Sequence, residues 1–316
     1  MSLKDTIGQE RAVRILLGTL RRERIPSAVL FSGEGGVGKR LTALNYAKAV
    51  NCLHPVEGDS CDSCISCRKV DAGAHPDITL IGSEGEEIKI EEVRKIEETL
   101  SLSPLEGKKK VVIMDGAEAM NIYAANAFLK TLEEPPPDSL IILVSSDPDS
   151  LPDTIRSRCI TVRFRSLPTE GCREVVSRLA ADEAAGNILP LAMGRPGLIL
   201  SGELKRMQER FTEILREMQQ GGKDAWEDRQ EIGISLEMAF LLVRDLVVLE
   251  ITGKSAEMLS GYEVTTGKRI PELLEAYDSL RSVSGLLDFN LNKSITWNYV
   301  AGIMGSLLSA GAPRRG

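Results

Sequence analysis

A glycine-rich segment near the start of the chain limits the fold more than any other feature. It has the sequence GEGGVGKR, from Gly33 to Arg40, and lies between the apolar run AVLFSG and a helical pattern that begins at residue 41. A strand, a glycine-rich turn and a helix form the context in which G-x-x-x-x-G-K binds phosphate, because glycines let backbone N–H groups point at phosphate oxygens. The segment therefore predicts a phosphate-binding loop in an α/β fold rather than an ordinary turn. The expected phosphate contacts are Gly33, Gly36, Gly38 and Lys39, whose ammonium would reach the β- and γ-phosphates.

The loop lacks the groups that hydrolysis needs. Arg40 stands where a serine or threonine hydroxyl normally holds Mg²⁺, and an arginine cannot coordinate a cation. Arg40 could only contact phosphate or turn outward. Asp115, at the end of the apolar run VVIMD, is the expected partner carboxylate, but Gly116 follows it where ATPases of this type carry a water-activating glutamate. The next acid is Glu118, and Thr42 lies on another face of the helix. Because each lost group removes several factors of ten in rate, we expect phosphate binding to survive and efficient hydrolysis to be absent.

Four of the six cysteines fall within sixteen residues and form the pattern C-x8-C-x2-C-x2-C. In a reducing compartment such clustering indicates a metal site rather than disulfides. Paired thiolates on short C-x2-C turns suit tetrahedral Zn²⁺, and four of them leave no open position, so the predicted site is structural. An iron–sulfur cluster takes the same ligands, but nothing else in the sequence indicates redox chemistry. The predicted ligands are Cys52, Cys61, Cys64 and Cys67.

Strand and helix patterns alternate through the first half of the chain. Apolar runs end near residues 33, 81, 116 and 146, and amphipathic stretches separate them, which predicts a parallel sheet with helical crossovers. After about residue 165 the strand signals fade, and Gly221–Gly222 is a plausible joint between helical segments. We predict three domains: an α/β domain over 1–165 with the cysteine module (52–67) inserted, a small helical domain over 166–222, and an all-α domain over 223–316.

Composition sets further limits. The 316 residues are 42% hydrophobic and only 4% aromatic, so the core must be aliphatic and the chain is not of the disordered class. No window approaches the length of an apolar membrane span, and the segment MSLKDTIGQE lacks a signal pattern, so we expect a cytoplasmic protein. The net charge of −7 excludes a basic field over the whole protein, and any contact with nucleic acid must be local.

An arginine follows the third strong strand pattern. In SSDPDSLPDTIRSRC, Arg158 comes just after a short predicted helical turn at the edge of the α/β domain. A guanidinium at such an edge can stabilise charge on a phosphoryl group that another subunit transfers, as an arginine finger does. Spacing alone, however, favours an ordinary solvated arginine.

Together these segments resemble the clamp-loader subunits of bacterial DNA polymerase III, within the AAA+ ATPases, and among them the delta-prime group. The similar segments cover the first half of the chain densely and in order, and the last hundred residues are similar only in length and helical character. They are IGQ (7–9), GEGGVGK, the cysteine module, AGAHPD (72–77), VVIMDGAEAM (111–120), AANAFLKTLEEPPP (124–137), SDPDSLPDTIRSRC (146–159) and GRPG (194–197).

The resemblance implies an AAA+ domain, a helical lid domain and a C-terminal collar that holds a hetero-pentamer together. It implies motor (tau/gamma) and delta subunits as partners, and a sliding clamp and primed DNA as what the complex acts on. It also implies that Arg158 completes the ATP site of a neighbouring motor subunit and that Arg195, in GRPG, corresponds to the sensor arginine of the lid. Zinc would be structural, and ATP or ADP would bind, if at all, without hydrolysis.

Three hypotheses therefore compete. The first is a non-hydrolysing stator subunit that is an accessory part of the DNA polymerase III holoenzyme. The second is a motor ATPase of the tau/gamma type, which shares many of these segments but resembles G-x-x-G-x-G-K-T with Asp-Glu at the second motif, where this chain has Lys39-Arg40 and Asp115-Gly116. The third is a small-molecule kinase with a zinc lid, for which the sequence offers no acceptor site.

Overall fold

A computed structural model of the chain describes residues 1–82, 87–179, 189–222, 224–253, 268–287 and 291–308. Its residues form two compact units, one made of 1–179 with 193–197 and the other of 180–192 with 198–316. The division into three domains at 165 and 222 stays a prediction. Within the described residues, no helix has the length and apolar character needed to cross a membrane.

The first unit is built on a five-stranded parallel sheet in the order β2-β3-β4-β1-β5. This confirms the α/β fold with a parallel sheet. The strands are β1 (Ala28–Ser32), β2 (Ile78–Ile81), β3 (Lys110–Asp115), β4 (Ser139–Ser145) and β5 (Ile160–Arg163). The central strands β1, β3 and β4 are almost wholly buried, which explains why their sequences are uninterrupted apolar runs.

Helices cover both faces of this sheet. Alternate residues of a strand point to opposite faces, so Phe31 and Ile113 lie in the core beneath α1 and α2, whereas Leu30 and Met114 lie in the core beneath α4 and α5. The helices of this unit are α1 (Glu10–Arg21), α2 (Lys39–Val50), α3 (Ile65–Asp71), α4 (Ile90–Ser101), α5 (Ile122–Glu133), α6 (Asp153–Arg156) and α7 (Thr169–Leu179). The short helix α8 (Pro196–Leu200) begins within the GRPG segment.

The second unit is helical in its described residues. Its long helices are α9 (Glu203–Gln219), α10 (Arg229–Thr252), α11 (Ile270–Ser284) and α12 (Lys293–Leu308), and they share one apolar core. Trp226 and Trp297 meet edge to face in that core, with ring centroids 5.0 Å apart. Their indole N–H groups donate to the Ser235 hydroxyl and to the Gly222 carbonyl, so both rings serve packing rather than base stacking.

The direction of the strands gives the sheet two different edges. The segment 33–38, Asp115 and Ser145 come at the carboxyl ends of β1, β3 and β4, which we call the carboxyl edge. The segments that precede β5, β3 and β2 lie on the opposite side of the sheet, which we call the amino edge. In open α/β sheets, ligands bind outside the carboxyl ends of the strands.

Candidate functional site

The segment 33–38 at the carboxyl edge depends on its glycines. Gly33, Gly36 and Gly38 have φ values of +147°, +79° and +94°, which side chains rarely tolerate. A Cβ on Gly33 would also lie 2.5 Å from the carbonyl oxygen of Phe164, which is too close for any side chain. The loop then enters α2 at Lys39, as expected for a phosphate loop whose N–H groups face a ligand.

Lys39 lies inside the loop. Its ammonium donates to the carbonyl oxygens of Gly33, at 2.5 Å, and Glu34, at 2.6 Å, and the residue is only 6% exposed. Burial lowers the pKa of Lys39, while the carboxylates of Glu118, Asp115 and Glu34 act in the opposite direction. The ammonium is thus positioned at the ends of the strands where phosphate oxygens would meet it.

Arg40 and Asp115 pair with each other. The guanidinium Nε lies 3.7 Å from Asp115 Oδ2. Burial raises the pKa of Asp115, and the cations Arg40 and Lys39 oppose that rise. The Thr42 hydroxyl donates 2.9 Å to the Gly38 carbonyl and is fully buried, so it is engaged with its own helix. The oxygen ligands that Mg²⁺ requires are therefore not gathered here, and a cation occupies the position of the usual hydroxyl.

Glu118 is turned toward the end of β4. Its Oε1 accepts hydrogen bonds from the backbone N–H, at 2.9 Å, and the hydroxyl of Ser146. Burial would raise the pKa of Glu118, but these bonds hold it below its ordinary value. Within the described residues, its buried Oε2 has no hydrogen-bond partner. Gly116, at φ +73°, separates this carboxylate from Asp115 by a left-handed turn.

The GRPG segment packs directly on the loop. The N–H of Gly197 donates 2.8 Å to the Gly36 carbonyl, and a Cβ on Gly197 would lie 2.8 Å from Gly36 Cα. Arg195 Nε lies 3.9 Å from Glu34 Oε2. The structure therefore brings together at one edge all the residues predicted for nucleotide contact, although they are spread over more than 160 positions of sequence. These are Gly33, Gly36, Gly38, Lys39, Arg40, Asp115 and Arg195.

Gln9 is a positioning residue that sequence reasoning missed. Its side-chain amide donates to the carbonyls of Val37, at 3.3 Å, and Arg165, at 2.7 Å, and accepts from the N–H of Arg165. The residue is buried and ties the loop to the exit of β5. Its only signal in the sequence was membership of the IGQ segment that carried the family resemblance.

The four predicted cysteine ligands converge. The sulfurs of Cys52, Cys61, Cys64 and Cys67 all lie within 4.8 Å of one another, and those of Cys52 and Cys67 are 3.7 Å apart. Four sulfurs held at about 2.3 Å around one Zn²⁺ lie about 3.8 Å apart in a tetrahedron. Backbone N–H groups point at three of the sulfurs, at 3.3 to 3.4 Å. This set of donors fits a closed tetrahedral metal site.

The acidities of these thiols differ with their surroundings. Bonds from the N–H and hydroxyl of Ser63 lower the pKa of Cys61 to about 5, whereas burial raises the pKa of Cys67. His54 is exposed and lies outside the sulfur cluster, so it is not needed as a ligand.

A buried polar network ties the cysteine module to the amino edge. Asp77 is fully buried and accepts hydrogen bonds from the N–H groups of residues 105–107, at 2.7 to 2.8 Å, and from the Lys110 ammonium, at 3.1 Å. Burial alone would raise the pKa of Asp77, but these donors hold it well below its usual range. Asn51, beside Cys52, binds the backbone of Lys108 and Lys109 in the same segment.

His75 belongs to this network rather than to the metal site. Its Nδ1 accepts from the N–H of Asp77, at 3.1 Å, so the proton is assigned to Nε2, which faces the Ser66 hydroxyl at 3.1 Å. Ser66 in turn donates to the Asn51 carbonyl at 2.7 Å. Burial lowers the pKa of His75, which favours this neutral form. The histidine therefore lies in the turn that enters β2.

Arg158 lies at the amino edge, away from the phosphate loop of its own chain. Its guanidinium pairs with Glu133 at the end of α5, at 2.5 Å, and donates 2.9 Å to the Thr154 carbonyl. Arg158 lies in the turn between α6 and β5, two residues before β5 begins at Ile160. The register matches Ile160 with Val29 and Arg163 with Ser32, so the three residue steps of β5, about 10 Å at roughly 3.3 Å per residue, separate this turn from the end of β1, where the loop begins.

The chain is similar in sequence and in fold to known proteins. A family model described as DNA polymerase III, delta subunit, matches residues 8–168. The delta' subunit of DNA polymerase III from Bacillus subtilis is 31% identical over 265 residues, which cover 77% of this chain and 78% of that protein. The tau subunit of the same organism is 29% identical, with 88% of this chain but only 46% of that protein covered.

Other tau/gamma relatives show the same imbalance in length. For the tau/gamma subunit of Haemophilus influenzae the identity is 36% over 52% of this chain and 24% of that protein, so the chain spans less than half of these tau relatives. Among solved structures, a DNA polymerase III gamma subunit-related protein of Thermotoga maritima shares the fold, with a TM-score of 0.54 and 22% identity over 92% of this chain and 99% of that one.

The match in sequence covers the sheet, the phosphate loop and the edge that carries Arg158, and the relative similar over most of both lengths is a delta' subunit. The chain belongs to the delta-prime family of DNA polymerase III clamp-loader subunits.

Proposed function

We propose that this chain is a non-hydrolysing stator subunit of the clamp loader, which supplies Arg158 as an arginine finger to the ATP site of a neighbouring motor subunit. The observation that carries the proposal is the position of Arg158 at the amino edge, opposite the phosphate loop of its own chain. The length of β5, about 10 Å, separates the turn of Arg158 from the loop, and the guanidinium is bound to Glu133 and Thr154 on the amino side, so it does not reach a phosphate bound at its own loop. If Arg158 acts on a phosphoryl group, that group belongs to another chain.

The charges of Arg158 support this role. Its side chain is 34% exposed, and its ion-pair partner Glu133 is 51% exposed, so water screens the pair and little free energy opposes its exchange for a phosphate. A phosphate offers a guanidinium two oxygens in the geometry of its fork, as a carboxylate does. The present contact with Glu133 therefore orients the Arg158 side chain and can be exchanged for a contact with phosphate.

The side chains at the carboxyl edge support the proposal that this chain does not hydrolyse ATP. Asp115, the expected metal ligand, faces the Arg40 guanidinium, and Glu118 is bonded to Ser146 rather than placed directly after Asp115. The phosphate-binding glycines and Lys39 are retained. A tau/gamma-like motor ATPase remains the alternative, because tau relatives align over most of the chain. ATP turnover by the purified chain would favour that alternative.

The remaining parts of the proposal concern metal and partners. Cys52, Cys61, Cys64 and Cys67 would hold one structural Zn²⁺, which supplies a closed cross-link and no open coordination position. Motor and delta subunits would surround this chain in a hetero-pentamer, in which residues 166–222 would form the lid and residues 223–316 the collar. The sliding clamp and primed DNA would be met by the whole complex, in the cytoplasm.

A reconstituted loader tests the role of Arg158. In a complex where only the neighbouring motor subunit keeps its phosphate-loop lysine, we expect Arg158→Ala to lower ATP turnover by about 10³-fold, the usual contribution of an arginine finger. Arg156→Ala is the matched control, because Arg156 lies two positions away and pairs only with the exposed Asp149 and Asp153 in the described chain. Equal turnover in wild type and Arg158→Ala, with an intact complex on size exclusion, would refute the proposal.

A further inference from the structure

The carboxyl edge contains a phosphate loop in which the metal position is taken by a side chain. Where such loops place a hydroxyl for Mg²⁺, this chain has Arg40, and its Nε lies 3.7 Å from Asp115 Oδ2. The residue that replaces the magnesium-binding hydroxyl and the carboxylate that would bind the ion are thus directed at each other. Thr42, the nearest hydroxyl in α2, donates to the Gly38 carbonyl.

These residues do not fit Mg²⁺. The ion requires near-octahedral oxygen ligands at 2.0–2.1 Å. A guanidinium has only donors, keeps its positive charge at every accessible pH and repels a divalent cation beside it. Asp115 Oδ2 faces Arg40, so a divalent cation bound at that oxygen would lie beside the guanidinium charge.

The phosphate-binding parts of the same edge are retained. Three glycines hold the loop open at positive φ, the Lys39 ammonium lies within it, and α2 begins at its end. Arg195 approaches the same loop from the GRPG segment, beside Glu34. The loop therefore keeps its positive groups for phosphate while it lacks the ligands for the metal.

Arg40 can neutralise phosphate charge, as the metal normally does. Its side chain is 56% exposed and meets Asp115 through Nε, and a guanidinium carries further donors at its two terminal nitrogens. Those nitrogens can bind the β- or γ-phosphate while Nε keeps its carboxylate. In that arrangement Arg40 neutralises phosphate charge from a position close to that of the missing cation.

We propose that this site binds a nucleoside di- or triphosphate without a divalent cation, with Arg40 in place of magnesium. The inference rests on the non-hydrolysing part of the proposed function and is independent of Arg158. A nucleotide held in this way would be a structural ligand, since it bridges Lys39 and Arg40 to Arg195 of the same unit and lacks the metal that would support its hydrolysis.

The test is the magnesium dependence of nucleotide affinity. Fluorescent ADP and ATP analogues are titrated into the full-length chain in buffer with millimolar magnesium and in metal-stripped buffer, without chelator so that the cysteine module is left intact. We expect the wild-type Kd to differ by less than about twofold between the two buffers, a free-energy difference well below that of one charge-assisted hydrogen bond.

Two variants sharpen the result. Arg40→Thr restores the hydroxyl, and we expect it to bind about tenfold or more weakly than wild type without magnesium and to regain affinity when magnesium is added. Lys39→Ala, with its fold checked by circular dichroism, should lose affinity in both buffers. A wild-type Kd that weakens tenfold without magnesium would overturn the inference, as would failure of the wild type to bind in either buffer. If binding fails but Arg158→Ala still lowers loader turnover, only this inference is lost and the stator function stands.

Discussion

The two edges of the sheet carry charged groups that are used in opposite ways. At the carboxyl edge, Arg40 pairs with Asp115 and Arg195 lies beside Glu34, so the positive and negative groups of the nucleotide site face one another. At the amino edge, Arg158 is held by exposed contacts with Glu133 and the Thr154 carbonyl. In α/β sheets the carboxyl edge is where chemistry is usually found. Here that edge is the one that we propose to be without hydrolysis, and the arginine proposed to serve another subunit lies on the opposite side.

The edges also differ in how deeply their polar groups are buried. Asp77 and Asn51 at the amino edge are fully buried and bonded to backbone, whereas Arg40 and Asp115 at the carboxyl edge keep exposures of 56% and 31%. Buried charges that lose a partner cost several kcal/mol, whereas exposed pairs contribute about 0 to 1 kcal/mol. We therefore expect substitutions of Asp77 or Asn51 to destabilise the fold far more than substitutions of Arg40 or Asp115.

The cysteine module provides the largest expected effect. Purified, reduced wild type should contain about one zinc per chain, and Cys67→Ser should lose it, because Cys67 is buried among the other three sulfurs. Loss of an ion present at about a thousand times its Kd removes roughly 4 kcal/mol from the free energy of unfolding. Elemental analysis and urea denaturation measure the two results.

Cys159→Ser is the control for this variant, since Cys159 lies outside the sulfur cluster and should keep the zinc. Iron instead of zinc in the wild type would contradict the structural zinc site. Full zinc occupancy in Cys67→Ser would do the same.

The second effect concerns the buried carboxylate of the amino edge. Asp77→Asn leaves the Lys110 ammonium buried without a counter-charge and replaces one of the two oxygens that together accept from three N–H groups by an NH2 donor. We expect the free energy of unfolding to fall by about 3 kcal/mol near neutral pH, as for a broken buried pair. Urea denaturation measures this loss against Glu106→Gln, which breaks the exposed pair with Lys69 in the same segment and should cost less than about 1 kcal/mol.

The pH dependence of this difference follows from the pKa of Asp77. Because the folded pKa is held below the unfolded value of about 3.9, the stabilisation is complete above that value and is lost as the pH falls toward the folded pKa. The gap in unfolding free energy between wild type and Asp77→Asn should therefore be constant at neutral pH and shrink below about pH 4. A gap that persists unchanged into acid would show that the charge of Asp77 is not what stabilises the fold.

Much of the fold was predictable because its signals are local. The strands β1, β3 and β4 lie in apolar runs, and the motif glycines and the four cysteines carry their chemistry in their spacing. The strand β5 was missed, since three of its four residues are exposed and it shows no apolar run. Its absence from the prediction also hid the fact that Arg158 lies just before a strand begins and so lies at the edge opposite the loop.

The polar clamps could not be predicted from local sequence. Gln9 binds the backbone of Arg165, which is 156 positions away, and Asp77 binds a segment about 30 positions away. A buried polar side chain gains its role from such distant partners, and an isolated glutamine or aspartate in the sequence carries no sign of them. The same holds for the pairing of Arg40 with Asp115, where the sequence indicated only that the hydroxyl was missing.

The smallest effect is expected at Gly116, where the family's motor subunits carry a glutamate. Gly116→Glu should lower the free energy of unfolding by about 1–2 kcal/mol, because Gly116 has φ +73° and a side chain is strained there, although no atom crowds the position. Gly18→Glu in α1 is the control, since Gly18 has ordinary helical backbone and equally open space, and it should be neutral or slightly stabilising. Gly116→Glu should also gain no ATP turnover, because Arg40 still faces Asp115 and excludes the metal. If this single substitution produced ATP turnover, the carboxyl edge would lack only a catalytic base. The difference in function between the two edges would then depend on one residue.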